Sequence, residues 1–155
     1  MTGTMRRGFL LYEHTGLRGS DVVRLGPTDV DTYQGRDAFA LTTQKRKRDV
    51  WCPIMPTLAT EMATWERRPG PYLLQQNGKP FTRKEFGRQF AEARDAIPEL
   101  KGLTLHGLRA TAVINLRRAG LSYAQIGDIV GMSAKMVEHY CRNADMRSNS
   151  RAALT

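Results

Sequence analysis

Between residues 4 and 14, bulky and charged positions alternate in a helix-compatible way, and Gly16 breaks the run before a second helical stretch that Thr15 or Ser20 is placed to cap. After Gly26-Pro27 the period shortens. Residues 30–33, 39–43 and 50–54 read as strands, the last two joined by the basic turn KRKRD, so a small antiparallel sheet is expected. Leu58, Met62 and Trp65 return at helical spacing over residues 56–67, until Pro69-Gly70-Pro71 stops them. Residues 71–74 form a short apolar segment and Asn77-Gly78-Lys79-Pro80 a turn; residues 82–97 then make a charged amphipathic helix capped by Thr82, with Glu85 three residues on. Three more helices, over residues 104–119, 122–130 and 133–140, are separated by Gly120 and Gly131, each standing where a helix needs a stop residue. Trp51, Trp65 and the methionines at helical spacing are assigned to the core. No repeat or linker interrupts the pattern, and 155 residues suit one hydrophobic core. The fold class expected is α+β, predominantly helical, with the antiparallel sheet at one edge.

Charge adds a partner class. Twenty-four Lys and Arg against fifteen Asp and Glu give a net charge of +9, which draws the chain toward polyanions, nucleic acid first among them. Charge alone does not separate such a binder from a generically basic surface. Cys52 and Cys141 have neither metal-site spacing nor the pattern of a stapled secreted scaffold, and read as reduced thiols. No apolar run approaches the roughly 18 residues needed to span a bilayer, and the N-terminal apolar stretch is short for a signal peptide, so a cytoplasmic location without membrane contact is expected.

Cutting a DNA phosphodiester without metal or ATP needs a nucleophile, cations around the phosphate, a proton donor for the leaving oxygen and an acceptor for the nucleophile's proton. In chain order the sequence offers Arg18 after the first helical break, Lys45 at the mouth of the basic hairpin, His106 and Arg109 on one helix start, and Tyr140 on a later helix. His106 and Arg109, three residues apart, share a helical face. Taken singly each has an ordinary explanation. Tyr140 reads as a half-buried tyrosine, His106 as a helix-start or core histidine, Arg109 as its exposed neighbour and KRKR as a solvated hairpin tip.

The stretch HTGLRGSDVVRL resembles the first arginine box of the tyrosine recombinases, the phage integrase family; TTQKRKRDVWCPI is similar to that family's lysine hairpin, LTLHGLRATAV to its His-x-x-Arg box and KMVEHYCR to its nucleophile helix. NGKPFTRKEFGRQFAEAR looks like the middle segment. The resemblance runs from about residue 7 to residue 142. It implies a catalytic domain in which Arg18 and Arg109 clamp the phosphate, His106 accepts a proton or orients the phosphate, Lys45 (with Lys47 in reserve) protonates the leaving 5′-oxygen, and Tyr140 forms a 3′-phosphotyrosyl bond. It implies no cofactor. The basic residues Arg46, Lys47, Arg48 and Lys84 are expected to touch the DNA backbone. Double-stranded DNA is the partner implied, with a monomer when free and a tetramer on DNA, in the cytoplasm of a prokaryote or phage host.

One slot departs from the pattern. Where the family carries His or Trp, the segment GMSAKM has Met132, whose thioether cannot donate to a phosphate oxygen. His139 is a faint substitute, and His14 has no partner legible in sequence. Residues 1–155 are read as a single catalytic domain, with the family's N-terminal core-binding domain absent, and residues 143–155 as a polar tail, mobile or docked on a neighbouring protomer. Site-specific recombination is therefore the leading function. A non-catalytic DNA-binding relative, weakened at Met132, is the first alternative, and supercoil relaxation of the type I topoisomerase kind is the second.

Overall fold

A computed structural model describes Met1 and residues 3–154. The helices are α1 (Gly3–Thr15), α2 (Gly19–Val22), α3 (Pro56–Met62), α4 (Arg83–Asp95), α5 (Leu105–Arg118), α6 (Tyr123–Val130) and α7 (Ala134–Ala153); the strands are β1 (Val30–Tyr33), β2 (Arg36–Thr42) and β3 (Asp49–Pro53). Four helices start on side-chain caps visible in the sequence: Thr82, Thr104, Ser122 and Ser133 each accept a backbone N–H three residues on, at 2.9–3.2 Å. Ser122 and Gln125 complete a reciprocal capping box. Neither Thr15 nor Ser20 caps α2. Arg18 occupies that cap position without a side-chain bond, Ser20 lies inside the helix, and the Thr15 hydroxyl donates to the Leu11 carbonyl at 2.6 Å while accepting from the Leu17 amide.

The three strands pair antiparallel in the order β1-β2-β3. Gln34 and Gly35 join the first two at φ of 50° and 75°, the left-handed pair that a tight hairpin needs. In β3, Val50 and Cys52 face the core while Asp49 and Trp51 face out. Trp51 is therefore not core: the same alternation that buries its neighbours leaves it 37% exposed, edge-on to Tyr33. Met136 and Met146 are likewise exposed, whereas Trp65 packs against the core and Tyr72. Helix α3 ends at Met62, five residues before the boundary the spacing suggests, where Thr64 turns its hydroxyl onto the Glu61 carbonyl.

Two apolar clusters form the interior. One gathers Leu11, Leu17, Leu25, Phe39, Leu58, Phe86 and Phe90 from α1, the segments flanking α2, the sheet, α3 and α4; the other gathers Val113, Ile126, Val130, Met132, Val137 and Cys141 from α5, α6, the α6–α7 junction and α7. Helix α5 belongs to both, with Leu108 in the first and Val113 in the second, and its N-terminal turn opens on the seam between them. Gly16 and Gly131 make this seam close. Both have positive φ, at 67° and 72°, and a Cβ on either would come within 2.9 Å of a packed side chain, Val130 or Thr43.

The polar tail is not a separate segment. Residues 143–153 continue α7, because nothing after Tyr140 breaks the helix; Thr155 lies outside the described residues. Among the described residues no helix is long and apolar enough to cross a membrane.

Candidate active site

Arg18 follows the turn that closes α1, His106 sits on the first turn of α5 and Arg109 at the start of its second, Lys45 and Arg46 on the β2–β3 loop, and Tyr140 on the second turn of α7. They line one cleft of about 460 Å³ at the seam of the two clusters, together with Arg83 and Met132. The five residues that the sequence singled out as catalytic candidates, 122 positions apart at the extremes, Arg18 and Tyr140, thus share one cavity.

Arg109 is the most buried cation. Its Nε donates to the Gly16 carbonyl at 2.7 Å and one terminal nitrogen to the Val130 carbonyl at 3.3 Å, so α5 is tied to the ends of α1 and α6. Burial and the charge of Arg18 lower its pKa to about 10, which still leaves it protonated near neutrality. Arg18 adds a terminal nitrogen, Nη1, that is buried and has no partner. No carboxylate forms an ion pair with Arg18, Lys45 or Arg109 among the described residues. Such a cluster of uncompensated cations, one with an idle buried donor, is built for an anion.

The Tyr140 hydroxyl lies 2.9 Å from His106 Nε2, a hydrogen bond whose direction follows the imidazole tautomer. His139 touches the Tyr140 ring edge-on but is exposed and does not line the cleft, so it does not stand in for Met132. Met132 itself is 2% exposed and packs into the second core cluster as part of the cleft wall. His14 faces Glu13 away from the site.

The four expected backbone-contacting cations separate. Arg46 lines the cleft beside Lys45, whereas Lys47 turns the β2–β3 loop with a φ of 51° and Lys84 is exposed outside the cleft. Arg48 is already engaged: its guanidinium donates to the Met132 carbonyl at 3.1 Å and to Asp128 at 2.5 Å. Two residues escaped the sequence reading. Arg83, one position before Lys84, reaches the cleft across Gly19, where any Cβ would crowd it. Asp21 is fully buried and accepts the Gln44 amide at 2.9 Å and Arg24 at 2.5 Å, tying α2 to the lysine loop; its second oxygen has no partner. Beside Arg83, burial pushes the Tyr12 hydroxyl up to about 12, keeping it neutral at the cleft floor.

Residues 4–147 match the phage integrase family. Two Sinorhizobium fredii proteins, y4qK and y4eF, both integrases/recombinases by name, are each 31% identical over 134 residues, which cover 83% of this chain. The chain spans about half the length of these relatives, 43% and 53% respectively. Among solved structures, the Tn1549 transposon integrase in complex with circular intermediate DNA aligns with a TM-score of 0.66 at 20% identity, over 88% of this chain and 53% of that one. A lambda integrase dimer bound to a COC′ core site gives 0.69 at 17% identity, over 90% and 42%. XerA recombinase gives 0.69 at 16%, over 96% and 63%. The chain belongs to the phage integrase family and has the catalytic-domain fold of the tyrosine recombinases.

Proposed function

We propose that this chain breaks and rejoins DNA strands through a covalent bond between Tyr140 and a DNA 3′-phosphate. The observation that carries the reading is the Tyr140 hydroxyl 2.9 Å from His106 Nε2, beside guanidiniums that lack carboxylate partners. Arg18 and Arg109 hold the non-bridging oxygens of the scissile phosphate and stabilise the charge that builds on them, a task suited to planar forks that are charged near neutrality. Arg83 extends the same cationic wall. The Tyr140 oxygen attacks phosphorus as its proton passes to His106; the bond to the 5′-oxygen breaks, and that oxygen takes a proton from the Lys45 ammonium. Attack by a second 5′-hydroxyl on the phosphotyrosyl bond reverses each transfer and closes a new strand. Arg46 and Lys47 flank the phosphate track, which makes affinity fall with salt. Double-stranded DNA is then the partner, and the related integrase dimer on its core site supports assembly of several protomers there, four for a full exchange.

Met132 favours a second reading. Its buried thioether offers no hydrogen-bond donor at the cleft wall, so a DNA-binding protein without turnover is the alternative. A nicked suicide duplex decides between them. The wild-type chain is expected to give a denaturation-resistant protein–DNA adduct that Tyr140→Phe eliminates; DNA binding without any adduct would overturn the recombinase reading in favour of the second.

A further inference from the structure

The β2–β3 loop is fastened at both ends, and the exposed cations lie between the fastenings. At its start the Gln44 amide donates to buried Asp21. At its end Arg48 reaches across to the junction of α6 and α7, giving one nitrogen to the Met132 carbonyl at 3.1 Å and another to Asp128 at 2.5 Å. Within the loop the Thr43 amide bonds the Arg48 carbonyl at 2.8 Å, the Lys47 amide bonds the Thr43 carbonyl at 3.0 Å, and the Arg48 amide bonds the Thr43 hydroxyl at 3.1 Å. The loop is thus a closed ring, held to α2 through Asp21 at one end and to the α6–α7 junction through the Arg48 side chain at the other. Gly131 lets the ring sit close, since a Cβ there would meet Thr43 Cγ2 at 2.9 Å. Lys45 stands three residues before Arg48, and Tyr140 eight residues after Met132.

We propose that Arg48, held by Asp128 and the Met132 carbonyl, is a positioning residue: it sets the distance between the Lys45 ammonium and the helix that carries Tyr140, and it does not serve as a DNA contact. The inference rests on the recombinase reading, in which Lys45 protonates the leaving oxygen. Cleavage requires the proton donor and the nucleophile on opposite sides of one phosphorus, so a loop that drifts by an ångström loses its proton transfer while the phosphate clamp of Arg18 and Arg109 stays intact. The Asp128 ion pair alone is weak, because Asp128 is largely exposed. The backbone carbonyl supplies the second acceptor that fixes the fork's direction.

Two nicked suicide duplexes test this, one with the ordinary 5′-oxygen and one with a 5′-bridging sulfur, whose thiolate leaves without an acid. Arg48→Gln is expected to slow adduct formation on the oxygen substrate by roughly 10- to 100-fold. Wild-type rates should return on the sulfur substrate, the same rescue that the recombinase reading expects for Lys45→Ala. The salt dependence of DNA affinity should be unchanged. Asp128→Asn, a change at an exposed site, should give a smaller slowing with the same rescue, and it carries the test if Arg48→Gln fails to fold. Equal slowing on both substrates, no slowing on either, or a salt slope reduced by about 0.9, the worth of one phosphate contact, would each overturn the proposal. If the wild type forms no adduct on either duplex, the recombinase reading is what fails. The tether is then judged by amide exchange at Lys47, which should quicken in Arg48→Gln and would count against the tether if it did not.

Discussion

Two clusters of charge on opposite flanks of α5 are built in opposite ways. At its N-terminal end, Arg18, Arg109, Arg83 and Lys45 converge on one cleft, and burial together with a neighbouring positive charge lowers the Arg109 pKa. At its C-terminal end, Arg117 donates to Asp145 at 3.0 Å and to the Leu121 carbonyl at 3.0 Å, and lies 4.3 Å over the Tyr123 ring, while the Tyr123 hydroxyl bonds the same Asp145. There the carboxylate is held below its usual range, first by the Tyr123 hydrogen bond and then by Arg117. One cluster is satisfied within the protein. The other is left short of negative charge, which folding does not require and an anion would supply.

Arg18→Ala should give the largest separation between the two. Loss of one clamp on the developing charge is expected to slow adduct formation by about 10²- to 10³-fold, while the melting temperature holds or rises because a like charge beside Arg109 is gone. Inorganic phosphate should raise the wild-type melting temperature by occupying the cleft, and raise that of Arg18→Ala less. A fall in stability on removing Arg18 would mean that the cleft charge is structural after all.

Asp145→Ala should behave in the converse manner. It leaves Arg117 and Tyr123 without their shared acceptor and should cost about 1 kcal/mol in urea unfolding, after allowing for the solvent that reaches this junction, with DNA affinity unaltered. Because the folded pKa of Asp145 is depressed, its contribution is complete above the ordinary Asp value of about 3.9 and is lost as pH falls through the lower folded value. The stability gap between wild type and Asp145→Asn should therefore close in acid; a gap independent of pH would deny the ion pair its role. Smallest of all is Arg88→Ala on the exposed face of α4, where Arg88 bridges Glu85 and Glu92. Urea unfolding should not detect it, and a measurable loss would show that surface pairing matters more here than solvent screening allows.

Sequence carried the helical part of this fold well where a cap and a stop bracket an element, as Thr82, Ser122, Gly131 and Ser133 do. It failed at α7, because the apolar periodicity ends near Cys141 while the helix runs on through polar residues to Ala153, past the Asp145 bond to Arg117 of α5. Trp51 was misplaced because bulk was weighed above the strand's two-residue alternation, which governs which face a side chain meets. That Arg18, Lys45, His106, Arg109 and Tyr140 belong to one cleft was legible through the order of their motifs. Arg48, Arg83 and Asp21 were not, since their roles come from contacts 84, 64 and 23 positions away, to Met132, Gly19 and Gln44, that no local pattern encodes.

Arg109 leans on two peptide oxygens rather than on side chains. A peptide oxygen survives any substitution that preserves the path of the chain, so what heredity must maintain here is a left-handed bend at Gly16 and a helix end at Val130, two shapes rather than two chemical groups. The guanidinium keeps its aim through any substitution that leaves those two shapes intact, a freedom set by the path of the backbone rather than by side-chain identity. Gly16→Ala is the substitution at position 16 that this freedom does not cover, because it alters the bend itself and crowds Val130 at 2.9 Å.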